Sequence, residues 1–369
     1  MNIKVITRHA PSNYGSLMQS IATLEILRRL GHDASIIDYI REDESGLNVT
    51  LTELNSKPKW SNNIIKKLLY ILLRFPGEYL ASKKFSKMRS KYLKLTDKRY
   101  KTSTELSTLK ADIFMTGSDQ VWGPIMNGRY DSAYFLSFVG AGAKKVSYAS
   151  SFGRTVFTED VLSNYHNLLS RYDEITVRED AAVDLISSMN IPCRGQVLDP
   201  TLLLTEKEWS KFIKKDITKK YVLVYQLHIH DEFNEYAKRF AQSVGLPLLR
   251  VSPSMHHFNR GGEFIYLPEL GEFLSYIKNC QYLITDSFHG TVFALIFNKQ
   301  LIEILPNNGT NSRNRSILKL TGLEDRIISD YNDFSIANRK IDYNKVNDII
   351  DIERQKSIEA MQEMYKNNK

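Results

Sequence analysis

An α/β protein of two doubly wound domains facing a cleft is predicted by three features of the sequence. Strand-sized apolar runs alternate with helix-period segments along nearly the whole chain, the pattern of βαβ units and parallel sheets. At 369 residues the chain exceeds the size at which one hydrophobic core stops growing, so two domains are expected. Several strands end in unusually polar junctions, and ligands of open α/β sheets bind at that carboxyl edge.

Residues 2–7 read as the first strand, 20–30 as a helix stopped by Gly31, and 34–39 as the second strand. A basic insert follows. Its first helical segment, 61–75, carries Ile64, Ile65, Leu68, Leu69, Ile71, Leu72 and Leu73 among lysines. Pro76-Gly77 is expected to break it before a lysine-rich helix over 79–93. Alternation resumes with strands at 113–116 and 145–148, a helix near 161–170, a strand at 174–177, a helix at 180–188 and a strand at 195–198. The charged stretch 215–220 is the expected linker. Beyond it come strand 221–225, helix 231–244, strand 247–251, helix 270–279, strand 282–284, helix 291–297 and a tail helix over 343–365. The expected domains are 1–214 with the insert at about 57–101, 215–335, and a helical tail from 336 to 369.

Composition narrows the class. Apolar residues make up 42% and charged residues 25%, as in ordinary globular proteins. Cys193 and Cys280 stand far apart, which points to a reduced cytoplasmic protein rather than a disulfide scaffold. Neither a signal-peptide pattern nor a long uncharged apolar run is present, so a transmembrane helix is not expected. The net charge of +8 is concentrated: residues 57–101 hold fourteen Lys/Arg against Glu78 and Asp97, a local +12. That confinement argues against nucleic acid as a partner. It suggests instead peripheral contact with an anionic membrane, lysines at the surface and the leucine face in the interface. The competing reading packs that face on the protein.

Motifs for other chemistries are missing. No G-x-x-x-x-G-K-[ST], H-E-x-x-H or G-x-S-x-G occurs. Residues 12–19 hold a single glycine, Gly15, where a dinucleotide fingerprint needs three. His228, His230, His256 and His257 lack ligand partners at metal spacing, so neither a metal nor a cofactor is expected.

Five junctions remain as candidate site segments. After the first strand, Asn13, Gly15 and Gln19 either contact substrate or cap a helix. Gly117, Ser118, Asp119, Gln120 and Trp122 follow the 113–116 strand. An indole beside carboxylate and amide groups suits a sugar, although Trp122 in the core is the competing reading. Ser150 and Ser151 end another strand, either facing a ligand or forming a tight turn. Arg178 ends the 174–177 strand, where a guanidinium holds a carboxylate or phosphate in bidentate fashion unless Glu179 or Asp180 pairs with it. Last, Asp286-Ser287-Phe288-His289-Gly290-Thr291 places one histidine between a strand and a helix N-terminus, where N–H groups attract anions. Asp286 is a candidate to orient the imidazole or take a sugar proton, with a helix cap as the alternative.

Six segments in order, N-Y-G-S-L-M-Q (13–19), M-T-G-S-D-Q-V-W (115–122), Y-A-S-S-F-G (148–153), V-R-E-D (177–180), V-L-D-P-T (197–201) and T-D-S-F-H-G-T-V-F-A-L-I-F-N (285–298), resemble the polysaccharide pyruvyl transferase family over residues 3–330. The resemblance implies two Rossmann-like domains arranged as in a GT-B glycosyltransferase. It also implies transfer of pyruvate from phosphoenolpyruvate onto a sugar as a cyclic ketal. His289 falls on the family's catalytic histidine and Arg178 on its donor-binding basic residue. The chain departs from several members at Ser287, where they carry an arginine, and Arg313 and Arg315 are candidates to supply that charge from a loop.

With Gly290, Thr291 and Ser287 these residues form the expected donor site. The acceptor expected is a sugar of a surface or capsular polysaccharide precursor, lipid-linked or nucleotide-linked. Two other classes stay open: a GT-B-type glycosyltransferase using a nucleotide sugar, and a non-catalytic sugar-binding protein on the same scaffold.

Overall fold

The structure, a computed structural model, describes residues 1–125, 130–140, 142–214, 217–306 and 311–366. Strands β1 (Asn2–Ile6), β2 (Asp33–Ile36), β3 (Ile113–Thr116), β4 (Lys144–Ser150), β5 (Glu174–Val177) and β6 (Gly195–Gln196) form one sheet in the order β2-β1-β3-β4-β5-β6. A second sheet holds β7 (Val222–Tyr225), β8 (Leu248–Ser252), β9 (Glu263–Tyr266), β10 (Tyr282–Thr285) and β11 (Gln300–Glu303), ordered β11-β10-β7-β8-β9. Every pairing is parallel. Central strands such as Ile113–Thr116 and Tyr282–Thr285 are buried throughout, because helices cover both faces of each sheet. The α/β fold of two doubly wound sheets is therefore the one expected. Strands β9 and β11 were not anticipated: β9 is a half-buried edge strand, and β11 carries a buried glutamate.

Each sheet reverses its strand order once, at β1/β3 and at β7/β10, and ligand crevices of open α/β sheets lie at such points. The two halves are packed together. The Tyr14 ring stacks on Phe273 at 4.1 Å, Gln196 Nε2 donates to Ser316 Oγ at 2.9 Å, and one apolar cluster includes Val5 and Met115 as well as Leu283 and Leu301.

Four local departures from the sequence reading have physical causes. The first helix, Tyr14–Arg29, starts before residue 20 because Asn13 Oδ1 accepts the amides of Gly15 and Ser16. Ser287 likewise starts a helix at Phe288–Ile296, so His289 lies in its first turn rather than in a preceding turn. Arg313 and Arg315 sit on the helix Ser312–Leu320 rather than in a loop; residues 307–310 of the same polar stretch lie outside the described residues.

Finally, the insert helix Ile64–Tyr92 runs unbroken through Pro76-Gly77. An interior proline costs about 3 kcal/mol. Anchors on both halves offset it: Tyr266 Oη donates to Gly77 O at 3.1 Å and Lys84 Nζ to Leu267 O at 2.6 Å in the second half, and Phe85 packs on Tyr14 of the first. The amino half of this helix is bare, with Ile65 72% and Leu72 71% exposed. The tail helix Tyr343–Lys366 returns to the first half, where Leu198 N donates to Ser357 Oγ at 2.9 Å.

Candidate active site at the meeting of the two switch points

Strand β10 ends at Thr285, whose Oγ1 accepts the Ser287 amide, and Ser287 Oγ in turn accepts Gly290 N at 3.3 Å. A Cβ at Gly290 would lie 2.3 Å from Thr285 Oγ1, so only glycine allows this tight start. The turn aims the His289 ring across to the first half. There a Cβ at Gly15 would stand 2.2 Å from His289 Nδ1, so the imidazole occupies the space that a side chain would need. His289 is 6% exposed.

Its Nε2 lies 3.7 Å from Asp199 Oδ2, an ion-pair separation longer than a hydrogen bond. Asp199 follows β6 and is fully enclosed. Its Oδ2 accepts from Ser118 Oγ at 2.7 Å and Arg178 Nη1 at 3.0 Å, and its Oδ1 accepts from Thr201 N and Oγ1. Burial pushes this carboxyl up, but His289, Arg178 and Thr201 outweigh it and hold it well below the usual carboxylate range.

Arg178 ends β5 and lies 4.0 Å from Asp119 and 3.8 Å from Glu179. Asp119 is held at φ 84°, an uncommon conformation for a side chain of this kind, with Ser16 Oγ donating to its Oδ2 at 2.8 Å. Burial raises Asp119, yet Arg178 and His289 bring it below its ordinary value; at Glu179 burial wins and the carboxyl is raised.

The guanidiniums of Arg178 and Arg313 lie 4.4 and 5.9 Å from the Phe288 ring centre. Burial and then Arg178 push Arg313 down to about 10. Two like charges, one from each half, therefore face one another beside His289. Among the described residues, Arg178 Nε, Arg178 Nη2 and His289 Nε2 are buried donors without a hydrogen-bond partner. Such groups cost about 1–3 kcal/mol each until a ligand satisfies them.

The structure thus brings together His289, Arg178, Arg313, Gly15, Ser118 and Asp119. The remaining candidates stand elsewhere. Asp286 accepts from Leu227 N at 2.7 Å and His228 N at 2.9 Å, tying down the loop after β7; the carboxylate facing the imidazole is Asp199. Trp122 is core, enclosed by Phe135, Phe152 and Tyr172, with Nε1 donating to Tyr134 O. It is no wall for a sugar.

Ser287 is the helix cap, and the amides of Gly290 and Thr291 are already taken by Ser287 Oγ and Ser287 O. Arg315, two positions past Arg313 on a helix, turns away and is exposed. Gln19 Nε2 donates to Thr7, Ser16 and Ser20 in the interior; Ser150 Oγ to Thr116 O and Gly117 O; Ser151 Oγ to Glu179 Oε1. Asn13 is a cap. Gly117 packs on Val5 and Thr7, and Gln120 on Gly153. Asp199, Ser16 and Phe288 gained no role from sequence. The signal for Asp199 was an aspartate directly after a strand and before Pro200.

Two parallel, doubly wound sheets whose switch points close over a histidine, an arginine and an aspartate define a GT-B-like α/β protein with its site between the halves. The fold is shared with the S. aureus MnaA–UDP co-structure (TM-score 0.53, 10% identity, covering 98% of this chain and 90% of that one). It is shared also with Methanocaldococcus jannaschii UDP-GlcNAc 2-epimerase in complex with UDP-GlcNAc and UDP (TM-score 0.50, 13% identity, 96% and 93%). The chain belongs to the polysaccharide pyruvyl transferase family, whose model matches residues 13–308. No curated protein matches the sequence.

Proposed function

We propose that the chain transfers pyruvate from phosphoenolpyruvate onto two hydroxyls of a sugar in a surface or capsular polysaccharide precursor, as a cyclic ketal. The observation that carries this reading is the set of buried, unsatisfied donors on His289 and Arg178 at the meeting of the two halves. In the reaction one hydroxyl attacks C2 as the methylene carbon gains a proton. The C2–O bond to phosphate breaks, and the second hydroxyl then closes the ketal. Of the two hydroxyl protons, one ends on the new methyl group and the other on phosphate.

A side chain that cycles a proton near neutrality is needed, and histidine does so. Asp199, 3.7 Å from Nε2, keeps the imidazole oriented. Arg178 and Arg313 hold the anionic donor, with Arg313 standing in for the arginine that Ser287 replaces. Two guanidiniums and the imidazole face two carboxylates held ionised, Asp119 and Asp199. Ser118, Asp119 and the edge at Gly15 are the acceptor side.

The protein works in the cytoplasm, peripheral to the membrane. The bare leucine stripe of the insert supports that placement, and among the described residues no helix is long and apolar enough to cross a membrane.

Incubation with phosphoenolpyruvate and candidate acceptor sugars tests the reading through phosphate release. Release by the wild-type chain, lowered about 100-fold or more in His289→Ala, is expected. Unchanged release in the variant sinks the assignment. A glycosyltransferase reading rests on the fold shared with UDP-bound proteins, and cleavage of a nucleotide sugar without phosphoenolpyruvate would favour it.

A further inference from the structure

A groove separates the insert helix from the second half, away from His289. It comprises two adjoining hollows of about 630 and 280 Å³ that share Arg74, Glu78, Ile229 and His256. The smaller hollow is polar and lies at the carboxyl edge of β8, against Ser252, Ser254, His257 and Arg260. The larger opens onto exposed apolar side chains: Leu73, Ile229 and Phe258.

We infer that the smaller hollow binds the diphosphate of a lipid-linked acceptor, whose hydrocarbon chain leaves through the larger hollow along the bare stripe of the insert helix. The inference rests on the sugar-acceptor reading and names the acceptor's class.

The charge arrangement supports it. Arg74 Nη2 donates to Glu53 Oε1 at 3.0 Å, but the buried Arg74 Nη1 has no hydrogen-bond partner among the described residues. Arg260 Nη1 donates to His228 O at a long 3.4 Å. Burial lowers Arg260, Asp286 opposes this, and Arg74 lowers it further. His256 is pushed down to about 4 by burial, then by Arg74 and Arg260. On the acidic side, Glu53 is already engaged by Lys57 and Arg74, and burial raises Glu78, which favours its neutral form. Crowded cations with spare donors are relieved by a multivalent anion.

Position agrees with charge. The smaller hollow includes Ser12, three residues before the Gly15 that touches His289, a reach of at most about 10 Å along the chain. Leu227 also borders it, its amide held by Asp286 in the turn that carries His289. A sugar attached to a bound diphosphate therefore extends toward the imidazole. The stripe from Ile64 to Leu73 spans about 15 Å. Lys59, Lys66 and Lys67 lie beside it, as an anionic lipid surface requires.

The test uses calorimetry on the full chain with farnesyl diphosphate, inorganic pyrophosphate, UDP-GlcNAc and phosphoenolpyruvate. Farnesyl diphosphate is expected to bind about tenfold more tightly than pyrophosphate. Arg260→Gln should weaken both about tenfold, as expected for a lost charged donor, and Arg260→Lys should recover most of the loss. Leu73→Asp with Phe258→Ser should weaken only the farnesyl compound, and phosphoenolpyruvate binding should persist in every variant. Unchanged diphosphate affinity in Arg260→Gln overturns the site. Tighter binding of UDP-GlcNAc, insensitive to Leu73→Asp with Phe258→Ser, overturns the lipid assignment. Failure of the pyruvyl reading is a separate result: diphosphate binds, yet the wild-type chain releases no phosphate from phosphoenolpyruvate.

Discussion

Two helices of this protein are almost equally apolar in sequence and have opposite fates. The histidine helix Phe288–Ile296 is buried along its entire length, between β10, β11 and the helix Ser312–Leu320. The amino half of the insert helix, richer still in leucine and isoleucine, is bare, with Tyr70 its one buried residue before Pro76. Apolarity sets the gain from burial, but topology decides whether anything is there to bury against. The histidine helix connects two adjacent parallel strands. The insert is an excursion between β2 and β3 whose hydrogen bonds to the second half come from Gly77 and Lys84, and an uncovered apolar surface of that kind is where a partner or membrane docks.

The sharpest way to break the buried half of this comparison is Asp199→Asn, which leaves Arg178 and His289 without their shared carboxylate. A loss of about 3–5 kcal/mol is expected in urea unfolding at pH 7. The wild-type carboxyl is held below its unfolded value, so its contribution is complete above pH 3.8 and disappears as pH falls toward the lower folded value. The acid limb of the stability curve should flatten in the variant; an unaltered limb would mean that Asp199 is not an anchor.

Gly15→Ala comes next. Its new Cβ meets the imidazole, and overpacking of this kind costs about 1–3 kcal/mol. Turnover should fall further than stability because His289 is displaced, and a crystal structure with the ring unmoved would refute the clash.

A smaller effect is expected behind the histidine helix. Burial pushes Glu303 up to about 8, with Thr291 and Asn314 moderating it. Its folded value exceeds its unfolded one, so the unfolded chain gives up the proton first and stability declines as pH rises from 4.5 to about 8. Glu303→Gln should lack that decline in denaturation midpoints taken across this window.

The exposed helix sharpens the contrast at the low end. Ile65→Ser, Leu69→Ser and Leu72→Ser together should alter stability by no more than about 0.5 kcal/mol per site, yet reduce co-sedimentation with anionic vesicles at low salt. A large drop in thermal stability would mean that the stripe is covered by protein after all.

Much of the fold was legible because fully buried parallel strands are continuous apolar runs with polar ends. The periods of 2 and 3.6 cannot foresee anchors distant in sequence. Pro76 reads as a stop, and only Tyr266, Lys84 and Phe85 explain why the helix continues. The candidate site was legible at His289, Arg178 and Gly15, junction residues that the structure brings together, although the alternative reading of Arg178 as a partner of Glu179 also holds at 3.8 Å. Trp122 misled because an indole beside polar residues looks the same whether it faces a sugar or Tyr134 O. Asp199 and Asp286 exchanged places for a related reason. Chain proximity favoured Asp286, while the partner of the imidazole comes from the other sheet.

The bond between Leu198 and Ser357 joins residues 159 positions apart. Leu198 immediately precedes Asp199, and the same tail buries Met361 and Met364 completely. At ribosomal speeds of about 5–20 residues per second, the first sheet waits roughly 10–30 s for the helix that completes it. Its nascent apolar flank stays open to chaperones in that interval. Asp199 itself is fixed by Ser118, Arg178 and Thr201, all made before the second half, so the late tail closes the flank beside a carboxylate that the first half already holds.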